Sequence, residues 1–395
     1  MFAENYLPCL AQWGGDLTYV AYGLFVLLVL GFLVLDLGVL HRKAHAVSMN
    51  EALMWTGIWL SAGLLFAVLV YFAYEGHWLG LGAETRVFNP ALASDPSRPL
   101  IMYGDVGGAQ AAVQYLTGYV VEKSLAMDNI FVIAMVFSAF GIPPVYQHRV
   151  LFWGIVGALV LRGLMIGLGG ELIMAHQWVL IIFGAFLVAT AVKLAVVKGH
   201  SDPSRNPLVK LVARIYPVVP FFDGQRFFTR RTVAPTYTTN PATGEQEPDS
   251  PPPGTLSARR AITPLLLALI MVEVTDIIFA VDSIPAIFAI TPDPFIVFTS
   301  NIFAILGLRA LYFCLANLIV RFRFLKPALV VILAFVGVKL LLLSVPPYMD
   351  ELGFASQASI KIRPAVSLAV VLSVLAAAVA ASIVWPSRAE RKPGA

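Results

Sequence analysis

Charge is scarce in this chain. Of 395 residues only 13% are Asp, Glu, Lys or Arg, while 59% are hydrophobic and the mean hydropathy is +0.81. Soluble domains carry about 25% charged and 45–50% apolar residues. Too little polar surface is left to cover a water-soluble globule, so a bilayer is the expected solvent. Cysteine is scarcer still: Cys9 and Cys314 are the only two, which excludes a disulfide framework and a cysteine-rich metal site. Histidine forms no cluster, since His41, His45, His148, His176 and His200 fall in or beside loops and His77 lies just past an apolar run. No Ser/His/Asp spacing, phosphate loop or nucleotide fingerprint occurs, so neither an enzymatic activity nor an organic cofactor is expected. The net charge of +4 and pI of about 9.0 would suit nucleic acid, but the basic residues lie beside the apolar runs rather than in a domain of their own. Nucleic acid is therefore not an expected partner.

What the chain has in abundance is long apolar runs. A membrane helix needs about 20 mostly apolar residues. Nine stretches qualify, at about 17–40, 51–73, 111–140, 150–170, 178–198, 262–290, 297–319, 326–346 and 364–385. The first follows an N-terminal stretch without a basic region or a clear cleavage site, and reads as a retained span rather than a signal peptide.

The Lys and Arg of the connections alternate with these runs. Arg42 and Lys43 follow the first, Arg149 the third, and Arg321, Arg323 and Lys326 the seventh, with Arg388, Arg391 and Lys392 in the tail. The link after the fifth is strongly basic, from Lys198 to Arg260. The intervening links carry Glu84, Asp105, Glu171 or Asp293 with few bases, and Lys361 and Arg363 are the one dissent. This pattern predicts a multi-pass protein of the cytoplasmic membrane with its N-terminus outside and its C-terminus in the cytoplasm.

The expected organisation is residues 1–105 with two spans and an outside loop, 106–198 with three, a cytoplasmic Pro-rich linker at 199–261, 262–346 with three more, and 347–395 with a final span and basic tail. Within the linker, 234–254 is rich in Pro, Gly, Thr and Ser and is expected to be disordered.

The two three-span units resemble each other. EKSLAMDNIF (122–131) pairs with DIIFAVDSIP (276–285), matching Glu122 to Asp276, Asp128 to Asp282 and Asn129 to Ser283. LVLRGLM pairs with LGLRALY, superposing Arg162 on Arg309, and Lys193 and Lys339 follow at 31 and 30 residues from their arginines. Three spans is an odd number, so the second unit enters the membrane from the opposite side. The expected fold is an all-α, polytopic membrane helical bundle of about nine spans containing two inverted three-helix repeats. Transporters of this architecture place the ligand near the midplane, where the repeats meet.

That is where the unusual residues lie. Glu122 and Asp128 fall within the third span, and Glu273, Asp276 and Asp282 within the sixth. On insertion scales an ionised Asp at the helix centre costs about 2.5–3.5 kcal/mol, so five carboxylates cost at most roughly 12–18 kcal/mol. A cation, protons, or the embedded Arg162, Arg309, Lys193 and Lys339 must offset this. Lys193 and Lys339 are expected near cytoplasmic helix ends, where they can snorkel. Internal salt bridges are one solution and a cation site the other. Six residues of helix separate Glu122 from Asp128, and Asp276 from Asp282, turning each pair about 120° apart. Aiming both at one ion predicts unwinding near Ser124–Asn129 and near Ala280–Ala286, where Pro285 interrupts the backbone bond to Val281. Oxygen donors without Cys or His suit Mn, Ca or Mg over softer ions. Asn129 and Ser283 are candidate neutral donors.

EKSLAMDNIFV (122–132) and EVTDIIFAVDSIPAIFAIT (273–291) resemble the two signature segments of TerC family membrane proteins, and NIFAILGLRALYF (301–313) and FDGQRFFTRR (222–231) are similar too. The likeness runs from about residue 20 to 345. It implies a multi-pass protein of the wider LysE-like transporter group, with bacterial members linked to manganese export and to tellurium resistance. It also implies that Glu122, Asp128, Glu273, Asp276 and Asp282 bind the metal, with Asn129 and Ser283 following the motifs. The Pro-rich insertion and the final span depart from the family pattern. The expected function is export of a divalent cation, Mn2+ above others, by alternating access, with a counter-transported proton as one source of drive. A scaffold that supports tellurite resistance or membrane-protein assembly is the rival from another class, and a Ca2+ channel or exchanger a third reading.

Overall fold

The computed structural model describes residues 15–38, 49–89, 100–176, 178–196, 214, 216–232, 237–239, 246–248, 256–316, 324–351 and 362–384. Each of the nine apolar stretches is helical within them. They form α1 (Gly15–Gly38), α2 (Met49–Glu75), α3 (Gly108–Ala139), α4 (Pro144–Ala175) and α5 (Val179–Val196). After the linker come α6 (Pro264–Phe288), α7 (Pro294–Leu306), α8 (Leu308–Ala316), α9 (Leu325–Glu351) and α10 (Pro364–Val384). The seventh stretch is thus two helices separated at Gly307. Proline opens α4, α6 and α7, where its missing N–H has no helical partner to lose.

Among the described residues six helical segments are long and apolar enough to cross a membrane by length and composition alone. The apolar parts of α5 and α9, Val179–Lys193 and Val330–Pro346, are shorter. The 32-residue α3 is long enough but interrupted by Glu122, Lys123 and Asp128. Burial ranks the spans. The segment Pro294–Cys314, which is α7 with most of α8, is 94% buried, whereas the spans in α1 and α10 are each 22% buried. The first therefore lies inside the bundle. The others expose Leu24, Leu27, Val34, Leu372 and Val379, side chains suited to acyl chains.

Helix packing bears on the internal repeat. Helix α3 packs on α7, α4 on α6, α3 on α6, and α5 on α9. First meets second, second meets first, first meets first and third meets third, as a twofold relation between two three-helix units requires. Small residues bring the backbones together. A Cβ on Gly337 of α9 would lie 3.0 Å from the Gly184 carbonyl oxygen of α5, and one on Gly118 of α3 would lie 2.8 Å from Ser300 Oγ of α7.

Two antiparallel strands, β1 (Thr85–Phe88) and β2 (Ile101–Gly104), sit over the start of α7. Asp293, read from the sequence as a loop charge, is buried there. It caps α7 by accepting from the amides of Phe295 and Ile296, and it also accepts from Tyr74 Oη and Thr85 Oγ1, both at 2.9 Å. One carboxylate ties α2, β1 and α7 together.

The linker departs from expectation. Described residues inside 234–254 form β4 (Tyr237–Thr239) paired antiparallel with β5 (Gln246–Pro248), so that stretch is not wholly disordered. Around it β3 (Phe228–Arg231) pairs with β6 (Leu256–Ile262), and β6 leads into α6 through Thr263. Asp223 anchors this clip, accepting from Thr229 Oγ1 at 2.8 Å and pairing with Arg231 at 3.1 Å. Phe222 and Phe227 lie on Tyr146 and Arg149 at the start of α4. Lys193 is exposed in the last turn of α5, but Lys339 is buried in the middle of α9, not at a snorkelling end.

Asp293→Ala should lower stability by about 3 kcal/mol, the sum of a lost cap and a stranded tyrosine hydroxyl. Asp293→Asn, which keeps an accepting oxygen, should lose less. Thermal unfolding of the detergent-purified protein, followed by circular dichroism, measures both.

Candidate functional site

The predicted breaks are absent. Helix α3 runs without interruption through Ser124–Asn129, and α6 continues through Pro285 to Phe288. The carboxylates meet by another route, because the group that gathers them comes from a third helix.

Arg162, near the middle of α4, is 1% exposed and sits between α3 and α6. Its guanidinium forks onto Asp276, with Nε donating to Oδ2 at 3.0 Å and Nη2 to Oδ1 at 2.8 Å. Nη1 donates to Glu122 Oε1, and also to Asn301 Oδ1 at 3.1 Å and Ser283 Oγ at 3.3 Å. Only a planar fork of five donors satisfies so many acceptors at once, and a lysine cannot reproduce it. Glu122 and Asp276, matched by the repeat, thus converge on one cation. Ser283 joins them; its partner in the repeat, Asn129, does not.

Asn129 lines a cavity beside them instead. Its walls come from Asn129 and Ile133 of α3, Leu151, Gly154, Ile155 and Ala158 of α4, Val272, Thr275, Asp276 and Phe279 of α6, and Leu308 of α8. The centre of a water-sized sphere can move through about 20 Å³ of it. About 10–15 Å³ by this measure holds one water, so the space is too small for a hydrated ion, and its wall is apolar except at Asn129, Thr275 and Asp276. Asp276 is shared between Arg162 and this cavity.

Besides the Tyr119 hydroxyl, three buried oxygens in the same two helices have no hydrogen-bond partner among the described residues: Glu122 Oε2, Asn129 Oδ1 and Glu273 Oε2. Buried polar atoms are nearly always satisfied, and an orphan acceptor commonly marks a missing water or ion. All three are hard donors of the kind that Mn2+, Ca2+ and Mg2+ take. Gly157 gives Glu273 its room, since a Cβ there would overlap the carboxylate. The side chains of Asp128 and Asp282 lie outside the described ones, and only their helical backbone is placed. Among the described residues no group of three or more His, Cys, Asp and Glu stands ready to hold a metal, so those placed do not form a closed cage by themselves.

The repeat supplies no unwound segment, but the site has a discontinuity nearby that sequence reasoning missed. Lys123 of α3 donates to the Ala304 carbonyl oxygen at 2.9 Å, satisfying one of the carbonyls freed where α7 ends at Gly307. Lys123 stands beside Glu122 in a quoted motif, and Asn301 opens another. Their charge and amide inside apolar runs were the available signals.

The pattern of the integral membrane protein TerC family matches residues 107–390, which takes in both repeats and every residue of the site. The chain belongs to the TerC family. An uncharacterised membrane protein of Myxococcus xanthus is 39% identical over 361 residues, covering 91% of each chain. A protein of Escherichia coli K12, provisionally named a membrane-bound redox modulator, Alx, is 41% identical over 329 residues, covering 82% of this chain and 86% of its own. An uncharacterised membrane protein of Rickettsia bellii is 35% identical over 331 residues, covering 83% and 90%. No solved structure matches. For this TerC protein the described bundle therefore stands on its own geometry.

Arg162→Leu strands two buried carboxylates and should destabilise the protein by about 3–5 kcal/mol. The doubly neutral Glu122→Gln/Arg162→Gln should recover part of that loss. Unfolding temperatures in detergent compare the two.

Proposed function

We propose that this TerC protein exports a divalent cation, Mn2+ above others, from the cytoplasm across the cytoplasmic membrane. The ion would pass through a carboxylate site between the inverted repeats. The observation that carries the reading is the set of orphan oxygens on α3 and α6, one of which belongs to Asn129 in the wall of a cavity that Asp276 also lines. Asp276 and Asn129 would be its first donors, and Glu122, Glu273 and Ser283 lie within the same interface. Asp128 and Asp282 complete the set by their sequence positions. An ion entering a space of one water's size must shed most of its hydration. Mg2+ does that reluctantly, which leaves Mn2+ and Ca2+ as the better cargo for oxygen donors. With the basic connections in the cytoplasm, α3 and α6 run in opposite senses, as alternating access between two inverted units requires.

The scaffold reading has one observation in its favour. Arg162 already pairs with both Glu122 and Asp276, as internal salt bridges would. It leaves the orphan oxygens unexplained. The redox role in the name of the Alx relatives fits the exporter reading indirectly. The site's carboxylates, amide and guanidinium do not exchange electrons, so a redox effect would follow from the ion moved.

In inverted membrane vesicles, Mn2+ uptake should fall at least tenfold in Asp128→Asn and in Asp282→Asn at unchanged protein level. Deletion of the gene should raise cellular manganese. Normal flux in both variants defeats the site, and unchanged manganese on deletion favours the scaffold.

A further inference from the structure

A buried arginine that already occupies the carboxylates is an obstacle to any ion meant to bind there. Arg162 keeps its charge at every cellular pH, so it cannot step aside by losing a proton. It can only move. Its contacts make that feasible in a stepwise manner. Two of its five hydrogen bonds go to neutral partners, Asn301 and Ser283, and one goes to a Glu122 whose second oxygen has no donor among the described residues. The fork onto Asp276 is the strongest hold, and Asp276 is also the group that lines the ion-sized cavity. The cavity wall from the same helix includes Ala158 and Gly154, four and eight residues before Arg162, together with Ile155 and Leu151. Helical side chains lean toward their N-terminus, so the guanidinium and the cavity share one face of α4, where Ala158, one turn before Arg162, leaves the nearest step small, while Ile155 and Leu151 wall the cavity further on.

We propose that Arg162 is a tethered cation that competes with the transported metal for Asp276 and Glu122. This rests on the exporter reading above and adds to it a mechanism for release. When the ion enters the cavity it takes Asp276 and Glu122 from Arg162. When the outward path opens, Arg162 returns to the carboxylates and displaces the ion. The empty carrier then resets with one of the two negative charges compensated from within, so that one proton fewer has to bind the pair. Charged groups are costly at the membrane centre, and a built-in counter-cation removes much of that cost from the return step. Asn301, which holds Nη1 and was not among the candidate metal ligands, becomes a residue that sets how firmly the competitor is docked.

The test uses the purified full-length protein, with Mn2+ binding measured by calorimetry in detergent and Mn2+ flux measured in proteoliposomes. Arg162→Gln should bind Mn2+ at least tenfold more tightly than the wild type yet transport it at least tenfold more slowly, because nothing expels the ion. Its unfolding temperature should also rise more on adding MnCl2 than that of the wild type, since binding to the folded state alone stabilises it. Asn301→Ala leaves every carboxylate and the guanidinium in place and guards against a misfolded Arg162 variant. It should tighten Mn2+ binding by roughly three- to tenfold, the scale of one ordinary net hydrogen bond. Weaker or unchanged binding in Asn301→Ala, or in a folded Arg162→Gln, overturns the competitor role while leaving the exporter reading intact. Absence of Mn2+ binding and flux in the wild type itself overturns both.

Discussion

The meeting of Glu122 and Asp276 on the Arg162 guanidinium is the constraint that organises this bundle. Carboxylates on two inverted helices are tolerable in a low-dielectric interior only where something positive reaches both, and α4 supplies it from between them. The close packing of α4 on α6 follows from that need. Gly154, Gly157 and Ala158 keep the α4 face thin, so that Val272, Glu273 and Asp276 come within reach of it. Burial of α7 and α8 follows as well. Asn301 of α7 is an acceptor for Arg162, and Lys123 of α3 satisfies a carbonyl at the end of the same helix. At the opposite end Asp293 fastens α7 to α2 and β1, fixing the helix along its length.

Much of this was legible in the residues. Among the described residues, each of the nine stretches located by apolar length is helical, because in lipid the backbone must satisfy itself within a helix. The pairing of Glu122 with Asp276 across the repeat foretold two groups that do share a partner. What could not be read was which cation they would find. Arg162 and Arg309 are equivalent in the repeat, and nothing in their spacing says which would face Glu122. The expected unwinding failed because it assumed that two carboxylates on one helix must aim at one ion. Carboxylates from separate helices can converge without bending either. Asp293 was misread for a related reason: a single Asp between apolar runs looks solvated until the hydroxyls of Tyr74 and Thr85, more than 200 positions away, are known to meet it. Composition pointed to disorder in the linker, and it did not reveal the short pairing of Tyr237–Thr239 with Gln246–Pro248.

The repeats are alike in plan but not in detail. The second helix of the first repeat, α4, is unbroken and carries the arginine that holds the site. Its counterpart is divided at Gly307, just before Arg309, and is enclosed by the rest of the bundle. Such asymmetry suits a protein in which one half presents the charge that the other half must release. The TerC family pattern spans both halves of this arrangement.

The most direct test of the account is an experimental structure of the protein with Mn2+, using anomalous scattering at the manganese edge. The account predicts a single strong peak in the cavity between α3, α4 and α6, within coordination distance of Asp276 and Asn129, with the Arg162 guanidinium withdrawn from Asp276. Manganese bound elsewhere, or absent while Arg162 keeps both carboxylates, would contradict it.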